Sequence, residues 1–308
     1  MPVGTFLIDG HLVVKSNVKL VGAGKQTVLK AGPAFLDSTG PDGGFPLITT
    51  SGASNVTIAH LTADQSGDLM NANAFPRRLS AYLIDVRNSK DAVVDGVYTR
   101  NPFTYSIAIV DSSGFCVTHS NTQVASSGLY SQLDGIHVLS SNTGQVIDNY
   151  VDQRIGTDGD DGLVAHTKNE PVYDVLYADN TVRGGSGGDG MQLAVGHYPI
   201  YDVVIRNNTF WGSPFGIRTG YWAKTGPSGA VSNIVISDNN IHNLVPGIAF
   251  PSGGDAIDIG GLRPVAAVTQ ITVTGNHVCD AGKIIVMRGA HNIVNNNYFC
   301  RPGTASGG

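Results

Sequence analysis

Three Asp-Gly pairs, each opening a short apolar run, are the residues in this chain best placed to do chemistry: Asp134-Gly-Ile-His-Val, Asp161-Gly-Leu-Val-Ala and Asp189-Gly-Met-Gln-Leu. They recur at near-equal steps of about 27 residues, and a fourth run, Phe215-Gly-Ile-Arg-Thr, follows after one more such step. Asp160 doubles the carboxylate of the middle pair. If each interval is one structural unit, Asp134, Asp160, Asp161 and Asp189 form a column of carboxylates. Carboxylates held this close repel one another, so some of them must take up a proton near neutral pH. One protonated acid beside one ionised partner is the equipment for cleaving a glycosidic bond. Asp-Gly is also a common turn dipeptide, so any single pair reads as structural; three in register shift the balance to a functional cluster. Other chemistries lack their residues. There is no Gly-x-Ser-x-Gly elbow, Cys116 has no obvious partner, and no Cys/His spacing suits a metal. No cofactor and no metal is expected.

The elements that must position these residues are short strands. Leu12-Val-Val, Thr27-Val-Leu, Asn55-Val-Thr-Ile, Ala92-Val-Val and Ile107-Ala-Ile-Val are β-rich runs bounded by Gly, Asn, Asp and Ser. No long stretch carries a convincing helical period, and segment 64–80 reads as a long loop or a short helix. From about residue 113 a second column appears at Asn121, Asn149, Asn180, Asn208, Asn239, Asn276 and Asn297. Repeats of this length mean solenoids, in which each turn buries its apolar face only by stacking on the next. Propeller blades repeat at about 40–45 residues or more, and a sandwich has no reason to keep the register. The expected fold is all-β: a right-handed parallel β-helix of about ten coils of roughly 28 residues, filling residues 1–302, with 303–308 as a linker or frayed tail. Because alternate strand residues share a face, Ile136/Val138, Leu163/Ala165, Met191/Leu193 and Ile217/Thr219 face inward. His137, Val164, Gln192 and Arg218 then face solvent in one column, and Leu139, His166, Ala194 and Gly220 in the next. The four Asp with His137, His166, Gln192 and Arg218 line one strip. Tyr105, Tyr130, His197, Tyr198, Tyr221 and Trp222 are aromatics that could stack on sugar rings beside it; core or loop packing is the competing reading for each.

Bulk composition excludes several classes. Charged residues are only 14 % of the 308 and Gly numbers 40, too little charge for long surface helices or disorder. The formal net charge of −5, without a Lys/Arg cluster, argues against a nucleic-acid partner. No apolar run approaches the ~20 residues of a membrane span. No signal peptide is recognisable, and the chain opens directly into a strand-like run, as expected of one domain of a larger extracellular or virion protein. Of three Cys, Cys279 and Cys300 sit at matching places in Asn276-His-Val-Cys and Asn297-Tyr-Phe-Cys; a buried free pair is favoured over a disulfide.

At these residues the sequence resembles the pectin-lyase-like β-helix superfamily, and within it the polygalacturonase-type glycoside hydrolases. That family carries Asn-Thr-Asp-Gly, Asp-Asp, Gly-His-Gly and Arg-Ile-Lys on successive coils. Gln132-Leu133-Asp134-Gly135 resembles the first and Gly159-Asp160-Asp161 the second. Gly187-Gly188-Asp189-Gly190 stands at the third, with Asp for His, and Gly216-Ile217-Arg218-Thr219-Gly220 at the fourth, with Gly for Lys. The resemblance implies an inverting glycoside hydrolase in which Asp160 is the general acid, Asp134 and Asp161 activate water, and Arg218 binds the sugar. Asp189 competes with Asp160 as proton donor. The lost Lys, which in the family reads the substrate's carboxylate, points away from polygalacturonate. Tyr221 and Trp222 follow Arg218 directly and join His137, His166 and Gln192 as expected substrate contacts. The partner implied is a polysaccharide or oligosaccharide, met outside the cell, and a homotrimer is open if the chain forms a viral spike. Two other functions fit the fold: a polysaccharide lyase or epimerase drawing on Arg218, Lys283, Arg288 or His166, or a non-catalytic tailspike or adhesin.

Overall fold

The computed structural model describes residues 1–37, 46–69, 82–124, 132–154, 159–223, 226–248, 250–260, 267–280 and 283–300. Their strands lie in three parallel sheets, two of ten strands and one of eleven. The chain visits the sheets in a fixed order. Ile136–Leu139 belongs to the first, Asn142–Ile147 to the second and Tyr150–Asp152 to the third, and Leu163–His166 then returns to the first. Each strand pairs in parallel with its equivalents one coil before and one coil after. This is a parallel β-helix, as the repeat implies. The described residues outside it include one five-residue helix, Pro33–Asp37, and a 3-10 turn, Gly67–Leu69. Of the segment 64–80, Asp64 closes a strand, Gly67–Leu69 is that turn, and 70–80 lie outside the described residues.

Inward positions stack like on like. Ile107, Ile136, Leu163, Met191, Ile217 and Ile257 pair in succession and are fully buried. One apolar core runs from Val14 to Val278. No coil could bury its own face alone, so the register of the repeat is enforced by burial along the whole axis.

The bend between the second and third sheets takes two residues. The first has positive φ: Asp148 56°, Asp179 58°, Asn207 55°, Asp238 57° and Asn296 53°. Asp and Asn tolerate this conformation better than other side chains with a Cβ. The second residue points its amide along the stack. Asn149 donates from Nδ2 to Asn180 Oδ1 (2.9 Å), Asn180 to Asn208 (2.8 Å), Asn208 to Asn239 (3.0 Å), Asn239 to Asn276 (2.9 Å) and Asn276 to Asn297 (2.9 Å). The column differs from the sequence reading at one end. Asn121 pairs with Tyr150, and Ser120 is the residue that stands below Asn149 and donates its backbone amide to Asn149 Oδ1.

Cys279 and Cys300 are joined in a disulfide, so the expectation of a free pair is overturned. The two residues end adjacent rungs of one sheet, and that neighbouring position makes the bond geometrically available. Cys116 is free and half-buried.

Candidate active site

The site is built on the first sheet. Its register places His137, Val164, Gln192 and Arg218 in one column and Leu139, His166, Ala194 and Gly220 in the next, as alternation predicts. The column continues beyond the residues picked out from sequence. Asp85 precedes it, pairing with Ala108, and Asp258 follows it, pairing with Arg218. Asp258 escaped the sequence reading because a long insertion after Arg218 puts it far off the period. Most of these side chains leave the sheet on its outer face without meeting bulk solvent: His137, Gln192 and Asp258 are each 3 % exposed, while His166 and Arg218 are half-buried. The expectation of a solvent-facing strip is corrected to a covered one.

The Asp-Gly pairs have a specific local cause. Gly135, Gly162 and Gly190 do not use positive φ. They are needed for space. A Cβ on Gly135 would lie 2.5 Å from the carbonyl oxygen of Gly162, one on Gly162 2.7 Å from that of Gly190, and one on Gly190 2.6 Å from that of Gly216. The chain packs rung on rung here with no room for a side chain. Each Asp then turns its carboxylate along the axis. The Asp161 amide donates to Asp134 Oδ1 (3.2 Å), and the Asp189 amide donates to Asp161 Oδ1 (2.6 Å). One oxygen of Asp134 and one of Asp161 is thus engaged by backbone, a structural use of the repeat that coexists with any catalytic one.

The four acids do not share one environment. One carboxylate oxygen from each of Asp134, Asp160 and Asp161 lies within 4.8 Å of the others. Asp134 and Asp161 are buried and Asp160 is half-buried. Burial pushes the Asp134 carboxyl up to about 8, with Asp189 adding to the shift. Burial and then Asp134 and Asp189 drive Asp160 well above the carboxylate range, and burial and then Asp160, Asp189 and Asp134 do the same to Asp161. Asp189 is fully buried and committed elsewhere. Arg218 Nε donates to both its oxygens (3.0 and 2.8 Å), and Gln192 Nε2 donates to Oδ2 (3.0 Å). The Arg218 guanidinium also sits 4.9 Å from the Phe215 ring centre and 4.8 Å from that of Phe250. Burial opposes its charge, but Asp189 and Asp161 outweigh burial and keep Arg218 ionised. Both aromatic partners were missed from sequence. Phe250 comes from the connection that precedes the next strand of this sheet, and nothing in its flanking residues marks it.

At the other end of the strip His137 Nδ1 lies 2.6 Å from Asp134 Oδ2, and His137 Nε2 lies 3.1 Å from His166 Nδ1. Burial drives both imidazoles down to about 3, so both are neutral at neutral pH. Tyr105 stacks on the His137 ring at 4.1 Å, and Tyr82 stacks on Tyr105 at 4.8 Å. Tyr105 is therefore buried packing and not a sugar platform.

The remaining aromatics divide. Tyr221 turns inward against the core, with its hydroxyl donating to Thr219 Oγ1 (3.3 Å), so the structure separates it from the strip. Trp222 is 52 % exposed and donates from Nε1 to Gln192 Oε1 (2.7 Å). Gly220 lies under that hydrogen bond. A Cβ there would come within 2.9 Å of Gln192 Oε1 and 3.2 Å of Trp222 Nε1, so any side chain in the position of the family's Lys would disturb it. Tyr198 is exposed, His197 Nδ1 lies 3.2 Å from the Pro227 carbonyl, and Tyr130 lies outside the described residues.

No protein-family profile matches the chain, and no curated protein resembles it in sequence. Solved structures do resemble it in shape. A hyperthermoactive exopolygalacturonase from Thermotoga maritima superposes with a TM-score of 0.71 at 17 % identity, covering 97 % of this chain and 83 % of that one. A polygalacturonase from Erwinia carotovora gives 0.66 at 15 % identity over 96 % and 87 %. A mutant tailspike protein of E. coli bacteriophage HK620 gives 0.72 at 17 % identity over 98 % and 55 %. The chain has the right-handed parallel β-helix fold of these structures. This β-helix spans about half the length of the tailspike, and another structure of that tailspike holds a hexasaccharide. Enzymes that act on a polysaccharide and a protein that binds an oligosaccharide share the scaffold, so the scaffold alone does not choose between them.

Proposed function

We propose that this β-helix is a glycoside hydrolase acting on a polysaccharide without uronate, outside the cell. The observation that carries the reading is the grouping of Asp134, Asp160 and Asp161 within 4.8 Å on two adjacent rungs, where burial and mutual repulsion hold protons on carboxyl groups near neutral pH. Asp160, the least buried, is the proton donor to the leaving oxygen. Asp134 and Asp161, each held by a backbone amide of the next rung, face the attacking water. Asp189 belongs with Arg218 as an internal ion pair that shapes the floor of the site, so it is not the donor. The substrate class follows from that pair: Arg218 spends its Nε–H on Asp189 and packs against two Phe rings, and Gly220 offers no cation. Trp222 is the exposed ring on which a sugar stacks.

The resemblance implies inversion at the anomeric carbon. The spacing favours a second reading, because acid and base in most inverting enzymes stand about 6.5–9.5 Å apart and the pair in retaining ones about 5–5.5 Å. Proton NMR of the first-formed anomer separates the two. A lyase is less well served. It needs a cation at the substrate's carboxylate, Arg218 is committed, and Arg288 sits exposed just after the strand two rungs beyond Arg218. The test is a panel of neutral and acidic polysaccharides assayed by new reducing ends. Asp160→Asn should cut turnover by about 10²–10⁴-fold while substrate still binds. Undiminished cleavage by that variant, or ultraviolet absorbance of an unsaturated product in place of simple reducing ends, would overturn the assignment. Tight binding with no cleavage by the unaltered protein would favour a tailspike-like binder.

A further inference from the structure

Two histidines form a continuous path from the acidic cluster to the outer edge of the strip. Asp134 Oδ2, His137 Nδ1, His137 Nε2 and His166 Nδ1 lie in series, with contacts of 2.6 and 3.1 Å. His137 is buried and clamped flat against Tyr105. His166 is half-buried, and its Nε2 is the end of the series farther from Asp134. The charged and titratable groups around this path are Asp160, Asp161 and Asp189 at the inner end, Tyr105 on the face of His137, and Lys168 beside His166.

We propose that Asp134, His137 and His166 are a proton wire through which the buried Asp134 exchanges its proton with solvent and so reaches the ionised form a general base needs; its use in catalysis rests on the hydrolytic reading above. The wire has two states that differ by one proton. In the first, the Asp134 carboxyl donates to His137 Nδ1, His137 Nε2–H donates to His166 Nδ1, and His166 carries its hydrogen on Nε2. Release of that hydrogen to solvent lets every proton in the chain move one place outward. Asp134 is then a carboxylate accepting from His137 Nδ1–H, and His137 Nε2 accepts from His166 Nδ1–H. Neither ring becomes an imidazolium, which suits a site where burial disfavours positive charge on both. In the inverting course of hydrolysis the attacking water gives a proton to the ionised Asp134 as its oxygen bonds to the anomeric carbon. The glycosidic bond breaks with Asp160 protonating the leaving oxygen. The proton gained by Asp134 then passes to Asp160 within the cluster, which restores both acids. His137 and His166 are positioning residues here, since neither touches the reacting atoms.

The test uses the full chain with ¹⁵N-labelled histidine. Long-range ¹H–¹⁵N NMR across the titration of Asp134 should show His137 and His166 exchanging the Nε2–H tautomer for the Nδ1–H tautomer together, both staying neutral. A ring that keeps one tautomer throughout, or two rings that charge independently, would overturn the wire. A protein that cleaves none of the panel but shows the joint tautomer exchange would keep the wire and discard the hydrolase.

Discussion

Arg218 and Asp189 meet in a place where neither could stand alone. Asp189 has no exposed side-chain surface and Arg218 only 12 %. Removing one partner of a buried pair strands the other's charge, and that desolvation costs more than the pair contributes. Arg218→Leu should therefore lose about 3–5 kcal/mol of stability. The double variant Arg218→Leu with Asp189→Leu should recover much of that loss, and a chemical-denaturation cycle over the four proteins checks it. The acids also set a pH dependence whose sign can be worked out. Asp134 rises from the ordinary carboxylate value to about 8 on folding, so its contribution is full in acid and is lost as pH climbs towards 8. His137 and His166 fall to about 3, so theirs appears as pH rises from 3 to the ordinary histidine value near 6.5. The two trends oppose each other below about 6.5, and only the carboxylate trend remains above it. Melting temperature should thus drop between about pH 6.5 and 8, and Asp134→Asn should flatten that drop.

At the scale of the strand and bend, the Asn column is the feature with most at stake. Asn180 donates to Asn208 Oδ1 and to the Val146 carbonyl, while its own Oδ1 accepts from the amide and the side chain of Asn149. All of these bonds are buried, so Asn180→Ala takes the acceptor from the Asn149 amide and a donor from the Val146 carbonyl, both on the preceding coil. A loss of about 2–4 kcal/mol is expected from two such groups at about 1–3 kcal/mol each, measured by urea denaturation. Asn180→Asp should be no better, because an ionised carboxylate cannot donate upward. The column was legible in the sequence from Asn149 onward, since Asn has few equals at a bend that needs both a donor and an acceptor. Its start at Ser120 was misread by one residue, because Asn121 supplies the same letter at a plausible spacing and only pairing register separates the two. The Asp-Gly repeat was legible too, though for a different reason than the turn dipeptide suggests: Gly is there for space between rungs and not for an unusual φ.

Taken as a whole molecule, the solenoid couples each coil mainly to its neighbours. The Cys279–Cys300 bond ties the last two rungs of one sheet, well beyond the rungs that carry Asp134 to Arg218. Cys300→Ser should cost about 3 kcal/mol locally through the loop it no longer closes. Hydrogen exchange should quicken over 268–300 while amides of 134–218 keep their protection, and activity should persist. Faster exchange throughout would mean that the coils melt as one unit. What the linear chain decided about itself was the coil: a period of roughly 28 residues, strand alternation, and bend residues whose chemistry is local and needs no partner to be recognised. Those features specify the rung, and a rung with one apolar face has little choice but to stack. What only the folded molecule decided was who neutralises whom. Whether Asp189 is an acid or an anchor for Arg218, whether Tyr105 stacks on sugar or on His137, and whether the histidines meet substrate or pass protons along depend on distances of a few ångströms between residues on different rungs. Charge and hydrogen bonding act through space, and a sequence records only order.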